Sequence, residues 1–387
     1  MVGLKLPVAD GTLQLFELSA ASPYPATETR SFPRIVYAAA HVVAHPGSGP
    51  DPSNVRIDWD NTLAFRHRLW DLGFKIAEAM DTAQRGMGLD WSGAQELIAR
   101  ALAEARTRPG ADLACGAGTD HLDPAKARSL DDVVAAYEDQ IGFVEQHGGR
   151  VVMMASRALA RVARRPDDYA FVYDRILSQV KAPVILHWLG DMFDDALAGY
   201  WGAGDFDEAM SGVLDIIARH QPRVDGIKIS LLDADKEIAL RRRLPAGVRM
   251  YTGDDFNYAE LIAGDGTRHS HGLLGIFDPI APAAAAALVC LGANDRAGYD
   301  AILAPTVPLS RKIFEAPTQY YKAGVVFLAW LNGFQEHFVM LGAMQTERTV
   351  RHYSEVFRLA DRAALLVDPE LACRRMKTLL STYGIDG

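Results

Sequence analysis

Val-Asp-Gly-Ile-Lys-Ile-Ser, residues 224–230, reads as a β-strand whose apolar run carries a single lysine, Lys228, in its middle. Runs rich in Val, Ile, Leu and Met that alternate with longer helix-patterned segments are the signature of a parallel sheet wrapped by helices. Outward from Gly226 to Ser230, seven more such runs appear: Arg34 to Ala40, Phe74 to Met80, Asp112 to Gly116, Arg150 to Ala155, Pro183 to His187, Val248 to Thr252 and Gly272 to Phe277. Helical spacing fills the gaps, as in Thr62 to Leu72, Ser92 to Ala105, Leu130 to His147, Asp167 to Val180, Asp205 to His220 and Pro282 to Leu291. Eight strands and as many helices are the count of a closed (β/α)8 TIM barrel. A doubly wound sheet would show fewer strands and a glycine-rich first turn, and no G-x-G-x-x-G opens a helix here.

Past residue 293 the strand signal ends. Helical patterns follow at Asp295 to Leu303, Val307 to Phe314, Tyr320 to Met340, Glu347 to Val367 and Pro369 to Tyr383. The expected organisation is an N-terminal arm or short hairpin over residues 1–30, a barrel over 31–293 and a helical C-terminal appendage over 294–387. The 387 residues, 49% hydrophobic and 23% charged, are enough for a large core without staples. Cys115, Cys290 and Cys373 are odd in number and far apart, which suggests neither a disulfide framework nor a zinc knuckle. The net charge of −9 disfavours nucleic acid or an anionic membrane as partner. The first 25 residues lack an apolar signal core and the run Ala281 to Leu291 is too short to span a bilayer, so the expectation is a cytoplasmic protein.

Barrel enzymes work at the C-terminal ends of their strands. Those ends carry His41 and His45, Asp81 with Thr82, Asp120 with His121, Ser156 with Arg157, His187, Lys228, Asp254 with Asp255, and Asp278. Lys228 is the sharpest candidate, because an amine inside an apolar strand loses hydration, its pKa falls and it becomes a nucleophile toward ketones. The plainer alternative is an interior ion pair, for instance with Asp254.

Gly226-Ile-Lys-Ile-Ser resembles the Schiff-base strand of the dihydrodipicolinate synthase and N-acetylneuraminate lyase superfamily. Tyr251-Thr-Gly-Asp-Asp255 resembles that family's next strand. Gly272-Leu-Leu-Gly-Ile-Phe, Leu309 to Phe314 and Ala316-Pro-Thr-Gln-Tyr-Tyr-Lys322 follow in the family's order. The resemblance implies a cofactor-free lyase of aldolase or dehydratase type, with Lys228 forming an imine and a homodimer or homotetramer as assembly. It also shows two departures. His187 ends the strand Ala182-Pro-Val-Ile-Leu-His187, where the family has its proton-shuttling tyrosine; imidazole can relay protons but also ligates metals. Met80-Asp-Thr-Ala-Gln84 replaces the Gly-Thr-Thr-Gly-Glu turn that cradles a substrate carboxylate, keeping Thr82 but adding Asp81. A hydroxylated carbonyl substrate, a keto sugar or sugar acid, fits Asp81, Asp120, Asp254 and Asp255 better than a bare keto acid.

Two other readings stand beside this one. A divalent metal ion held by His187, Asp254 and His121 would make an isomerase, epimerase or lyase that polarises a carbonyl, although no H-x-H or H-E-x-x-H pair supports it. A ligand-binding barrel without chemistry is the other. Gly116-Ala-Gly-Thr-Asp120 is a ligand-approach loop or a plain tight turn, and Arg241-Arg-Arg243 reads as a solvated helix face.

Overall fold

The structure is a computed structural model that describes residues 3–8, 10–24, 31–49 and 56–386. Eight parallel strands close into a barrel: β3 (Val36–Ala39), β4 (Lys75–Glu78), β5 (Leu113–Ala117), β6 (Arg150–Met153), β7 (Val184–Leu189), β8 (Val224–Ser230), β9 (Arg249–Thr252) and β10 (His271–Leu274), with β10 pairing back onto β3. Each expected strand is present, with ends moved by a few residues. Alternate side chains divide the two faces. Tyr37, Ala39, Ala77, Ala114, Val152, Ile185, Tyr251 and Leu273 fill the interior, while Val36, Ile76, Leu113, Val151, Val184 and Ile227 face the helices.

The outer layer is set by local capping. Asp58 opens α1 (Trp59–Asp71), Asp90 opens α2 (Trp91–Thr107), and Ser129 with Asp132 forms a capping box on α3 (Leu130–Gln146). Next come α4 (Arg157–Val162), α5 (Pro166–Leu177), α6 (Phe206–Arg219), α7 (Ala234–Arg243), α8 (Tyr258–Ala263) and α9 (Ala281–Gly292). The N-terminal end of the barrel is closed by charge: Lys75 pairs with Asp112, Arg249 pairs with Asp225, and the Tyr251 hydroxyl donates to Asp225 at 2.7 Å. Lys228 therefore opens toward the other end only.

The appendage comprises α10 (Arg296–Leu303), α11 (Thr306–Ile313), α12 (Tyr321–Leu331), α13 (Val350–Arg362) and α14 (Pro369–Thr382). The single helix expected from Tyr320 to Met340 stops at Leu331, where Asn332 caps it and Gly333 turns with φ +78°. All eleven residues of α12 are buried, so Val325 to Leu331 serve the core of the chain itself. The N-terminal arm forms the hairpin β1 (Gly3–Pro7) and β2 (Leu13–Glu17), which packs on α13 and α14, and Ser19 follows it with hydrogen bonds to Asp361. Residues 1, 2, 9 and 25–30 of the expected arm lie outside the described residues. Among the described residues no helix is long and apolar enough to cross a membrane. Arg241 is not on a solvated face: it is 3% exposed and donates to the Leu261 carbonyl and Ser270.

Candidate active site

His187 on β7 and Lys228 on β8 stand side by side in the strand register, both pointing into the barrel. Two residues on, Ser230 accepts or donates a 3.3 Å hydrogen bond with His187 Nε2, while His187 Nδ1 is buried with no partner among the described residues. Burial, and then the neighbouring Lys228 charge, hold the imidazole well below the usual histidine range, so it is neutral. The Lys228 ammonium makes no hydrogen bond or ion pair among the described residues. Burial lowers its pKa below the ordinary lysine value, and the charges of Asp81 and Asp255 offset part of that. The expected alternative of a Lys228–Asp254 pair does not form, because Asp254 turns its carboxylate to its own loop: it accepts from the amides of Phe256 and Asn257 and from the Asn257 side chain.

Beside His187, at the C-terminal mouth, lies a cavity of about 170 Å³, lined in part by Asp81, Arg85, Asp120, Arg157, His187 and Asp194. That is room for several waters, which suits a small polar molecule. Arg85 grips Asp120 with two parallel bonds, Nε to Oδ2 at 2.7 Å and Nη2 to Oδ1 at 2.8 Å, and Gln140 adds a third at 2.8 Å. The other guanidinium donors go to Ala79 O, Gly116 O and Gln140 Oε1. Burial alone would raise the Asp120 pKa, but the Arg85 charge and these bonds bring it below the usual value. Asp120 is thus a fixed carboxylate, open to the cavity. Arg157 pairs with Asp194 across the rim.

Asp255 is buried with Oδ1 accepting from the Ile276 amide at 2.9 Å, and burial pushes its pKa up to about 7 against the pull of Lys228. Thr82 shares a 2.8 Å hydrogen bond with the Tyr321 hydroxyl. His121 sits on the outer side of the Asp120 network, 2.8 Å from Gln140. His187, Asp254 and His121 are therefore dispersed, and among the described residues no three His, Cys, Asp or Glu side chains gather as a metal site. His41 pairs with Asp278 at 2.7 Å, leaving His41 Nε2 and Asp278 Oδ1 buried with no partner among the described residues.

Three residues of this neighbourhood escaped the sequence reading: Arg85, Tyr321 and Lys322. Arg85 follows a left-handed Gln84 (φ 62°) just past β4, and the other two come from the first turn of α12. Lys322 is 3% exposed and donates to Gln319 O at 2.9 Å. Burial brings its pKa down to about 8, Asp81 and Asp194 pulling it up and Arg157 down.

Over residues 4–385 the chain matches the family described as Protein of unknown function (DUF993). The chain belongs to this family. No curated protein sequence matches it. Its fold is that of the dihydrodipicolinate synthases. A monomeric dihydrodipicolinate synthase variant superposes with TM-score 0.65 at 14% identity, over 86% of this chain and 97% of its own. The enzyme of Acinetobacter baumannii, complexed with pyruvate, gives 0.60 at 16% identity over 88% and 100%. YagE, a prophage protein of the same family from E. coli K12 and also in complex with pyruvate, gives 0.61 at 11% over 92% and 100%. The resemblance read from the Lys228 strand thus holds at the level of fold.

Proposed function

We propose that this DUF993 protein is a class I, imine-forming lyase of aldolase or dehydratase type that acts on a small hydroxylated keto compound, a keto sugar or sugar-acid derivative. The observation that carries the reading is Lys228: a buried amine inside the barrel that makes no ion pair among the described residues, beside the cavity residue His187 and under the charge of Asp81. Its lowered pKa raises the fraction of free amine that attacks a ketone. The carbinolamine loses water to give a protonated imine, which withdraws electrons from the adjacent carbon so that a C–C or C–O bond one position further breaks. His187, held neutral, passes hydrogen bonds between the reacting nitrogen and Ser230. Asp120, fixed by Arg85, and Asp81 accept from substrate hydroxyls, and Asp255 faces the positive charge of the imine.

Borohydride trapping tests the reading. Incubation with dihydroxyacetone, pyruvate or 2-keto-3-deoxy sugar acids, followed by reduction and peptide mass spectrometry, is expected to yield an adduct on Lys228, absent in Lys228→Ala. No adduct with any keto compound of the series, or an unchanged yield in Lys228→Ala, overturns it.

A further inference from the structure

A second cavity, of about 440 Å³, opens where the N-terminal hairpin meets the appendage. Its volume is within the range of small-molecule sites. It shares no lining residue with the cavity beside His187. Lys312 from the last turn of α11 and Glu315 just beyond it form one side, and Arg351, Glu355, Arg358 and Arg362 of α13 form another. The spacing i, i+4, i+7, i+11 puts those four on a single helix face.

The charges in this lining do not cancel. Both Glu315 oxygens accept from Lys312 Nζ at 2.8 Å, and Oε1 also accepts from His352 Nδ1 at 2.7 Å. Glu355 accepts from Arg358 Nη1 at 3.2 Å, and the buried Arg358 is held in place by a further bond from Nη2 to the Pro7 carbonyl at 3.1 Å. With both lining carboxylates so engaged, Arg351 and Arg362 are left exposed and without an ion pair among the described residues. The charge of Arg351 does reach Asp10 on the hairpin turn, a carboxylate outside the lining and open to water. Thr349, the cap of α13, also lines the cavity, so the positive end of the helix dipole adds to the field of the arginines. Such a surplus stands out in a chain whose net charge is −9.

His352 belongs to the same lining and is 4% exposed. Burial lowers its pKa to about 4, so the ring is neutral. With the Nδ1 proton given to Glu315, Nε2 is an acceptor, and it has no partner among the described residues. A buried acceptor left open at a basic cavity is satisfied by a hydroxyl. The two unpaired arginines are eleven residues apart, about 16 Å along the helix, so one phosphate group meets only one of them.

We propose that this cavity binds a small polyol carrying a phosphate at each end, with Arg351 and Arg362 holding the two phosphates and His352 accepting from a hydroxyl between them. Arginine suits the task because its guanidinium matches two phosphate oxygens at once. The ligand lies on the appendage, apart from the residues around Lys228, so the proposal stands independently of the imine chemistry.

Isothermal titration calorimetry of the full chain with fructose 1,6-bisphosphate tests it, with glucose 6-phosphate as the one-phosphate comparison. The bisphosphate is expected to bind one molecule per chain at about 0.1 M salt, where diffuse surface attraction is screened. Glucose 6-phosphate should bind at least about tenfold more weakly, the loss of one charge-assisted bond. Arg351→Gln and Arg362→Gln alter exposed side chains and should each weaken the bisphosphate by about the same factor, whereas Arg157→Gln at the barrel mouth should leave it unchanged. No saturable binding of the bisphosphate overturns the proposal, as does wild-type affinity in the Arg351→Gln, Arg362→Gln double variant. Equal affinity for the two sugar phosphates overturns the two-ended ligand, and a loss confined to Arg157→Gln overturns the site by placing the anion in the barrel.

Discussion

A Cβ added to Gly253 would stand 2.6 Å from Cε of Lys228 and would collide with Ser230 Oγ as well. The backbone leaving β9 thus forms one wall of the channel that holds the lysine stem, and only glycine leaves that wall low enough. Gly253→Ala is expected to displace the Lys228 side chain, at a stability cost of about 1–3 kcal/mol typical of overpacking. Imine trapping on Lys228 should fall at least about tenfold, more than such a loss of stability explains, since the chain remains folded. Trapping at the wild-type rate in a folded Gly253→Ala protein would show that the lysine does not depend on this wall.

Arg85 and Asp120 make a second testable pair. Five guanidinium bonds fix Arg85, and two of them orient Asp120 toward the cavity. Arg85→Met leaves a partly exposed carboxylate with Gln140 as its remaining side-chain donor, which is expected to cost about 1.5–3 kcal/mol. The double variant Arg85→Met, Asp120→Leu removes the stranded charge and should recover much of that loss. Urea unfolding of the wild type, the single and the double variant reads this directly; a single variant within about 0.5 kcal/mol of wild type would mean that the clamp is not under electrostatic tension.

The barrel was legible because strands buried on both faces leave short, nearly continuous apolar runs, and Lys228 stood out as the exception inside one of them. The mouth was legible only where a strand end announced it. Asp254 and Asp255 are sequence neighbours, yet one turns to its own loop and the other accepts from the Ile276 amide, where it feels the Lys228 charge. Arg85, Tyr321 and Lys322 reach the site from a turn and from the appendage, over more than 200 residues for the pair Thr82–Tyr321, and no local pattern encodes such a meeting. The helices α4 and α8 were not legible for another reason: each is six residues long, too short to show a period, while α7 reads as a helix face but is so rich in charge that its buried Glu237 and Arg241 look like surface residues.

The carboxylates near Lys228 set how much free amine exists at a given pH. Burial lowers the Lys228 pKa, and Asp81 and Asp255 raise it again by favouring the ammonium. Asp81→Asn removes one of these, so the acidic limb of the trapping rate is expected to move to lower pH. Asp255→Asn should act in the same direction but less strongly near pH 7, where its carboxyl is already partly protonated. A limb that moves to higher pH in Asp81→Asn would mean that the limb belongs to another group.

Glu237, outside the cavity lining, ties stability to pH. Its side chain is 1% exposed and Oε1 accepts from Ser270 Oγ at 2.6 Å. Burial raises its pKa from 4.5 to about 8, the hydrogen bonds to Ser270 and Thr252 and the Arg241 charge opposing it and the Asp254 charge adding to it. An acid whose pKa is raised by folding contributes fully below its unfolded value, and that contribution is lost as pH rises toward the folded one. The window here runs from about 4.5 to about 8. Glu237→Gln keeps the shape and the acceptor to Ser270 but never ionises, so relative to wild type it should gain stability steadily across that window and stay level above it. Thermal unfolding at half-unit steps from pH 4 to 9 would show the two curves diverging. Parallel curves would mean that Glu237 ionises in the folded chain at no more cost than in water, with solvent reaching Oε2.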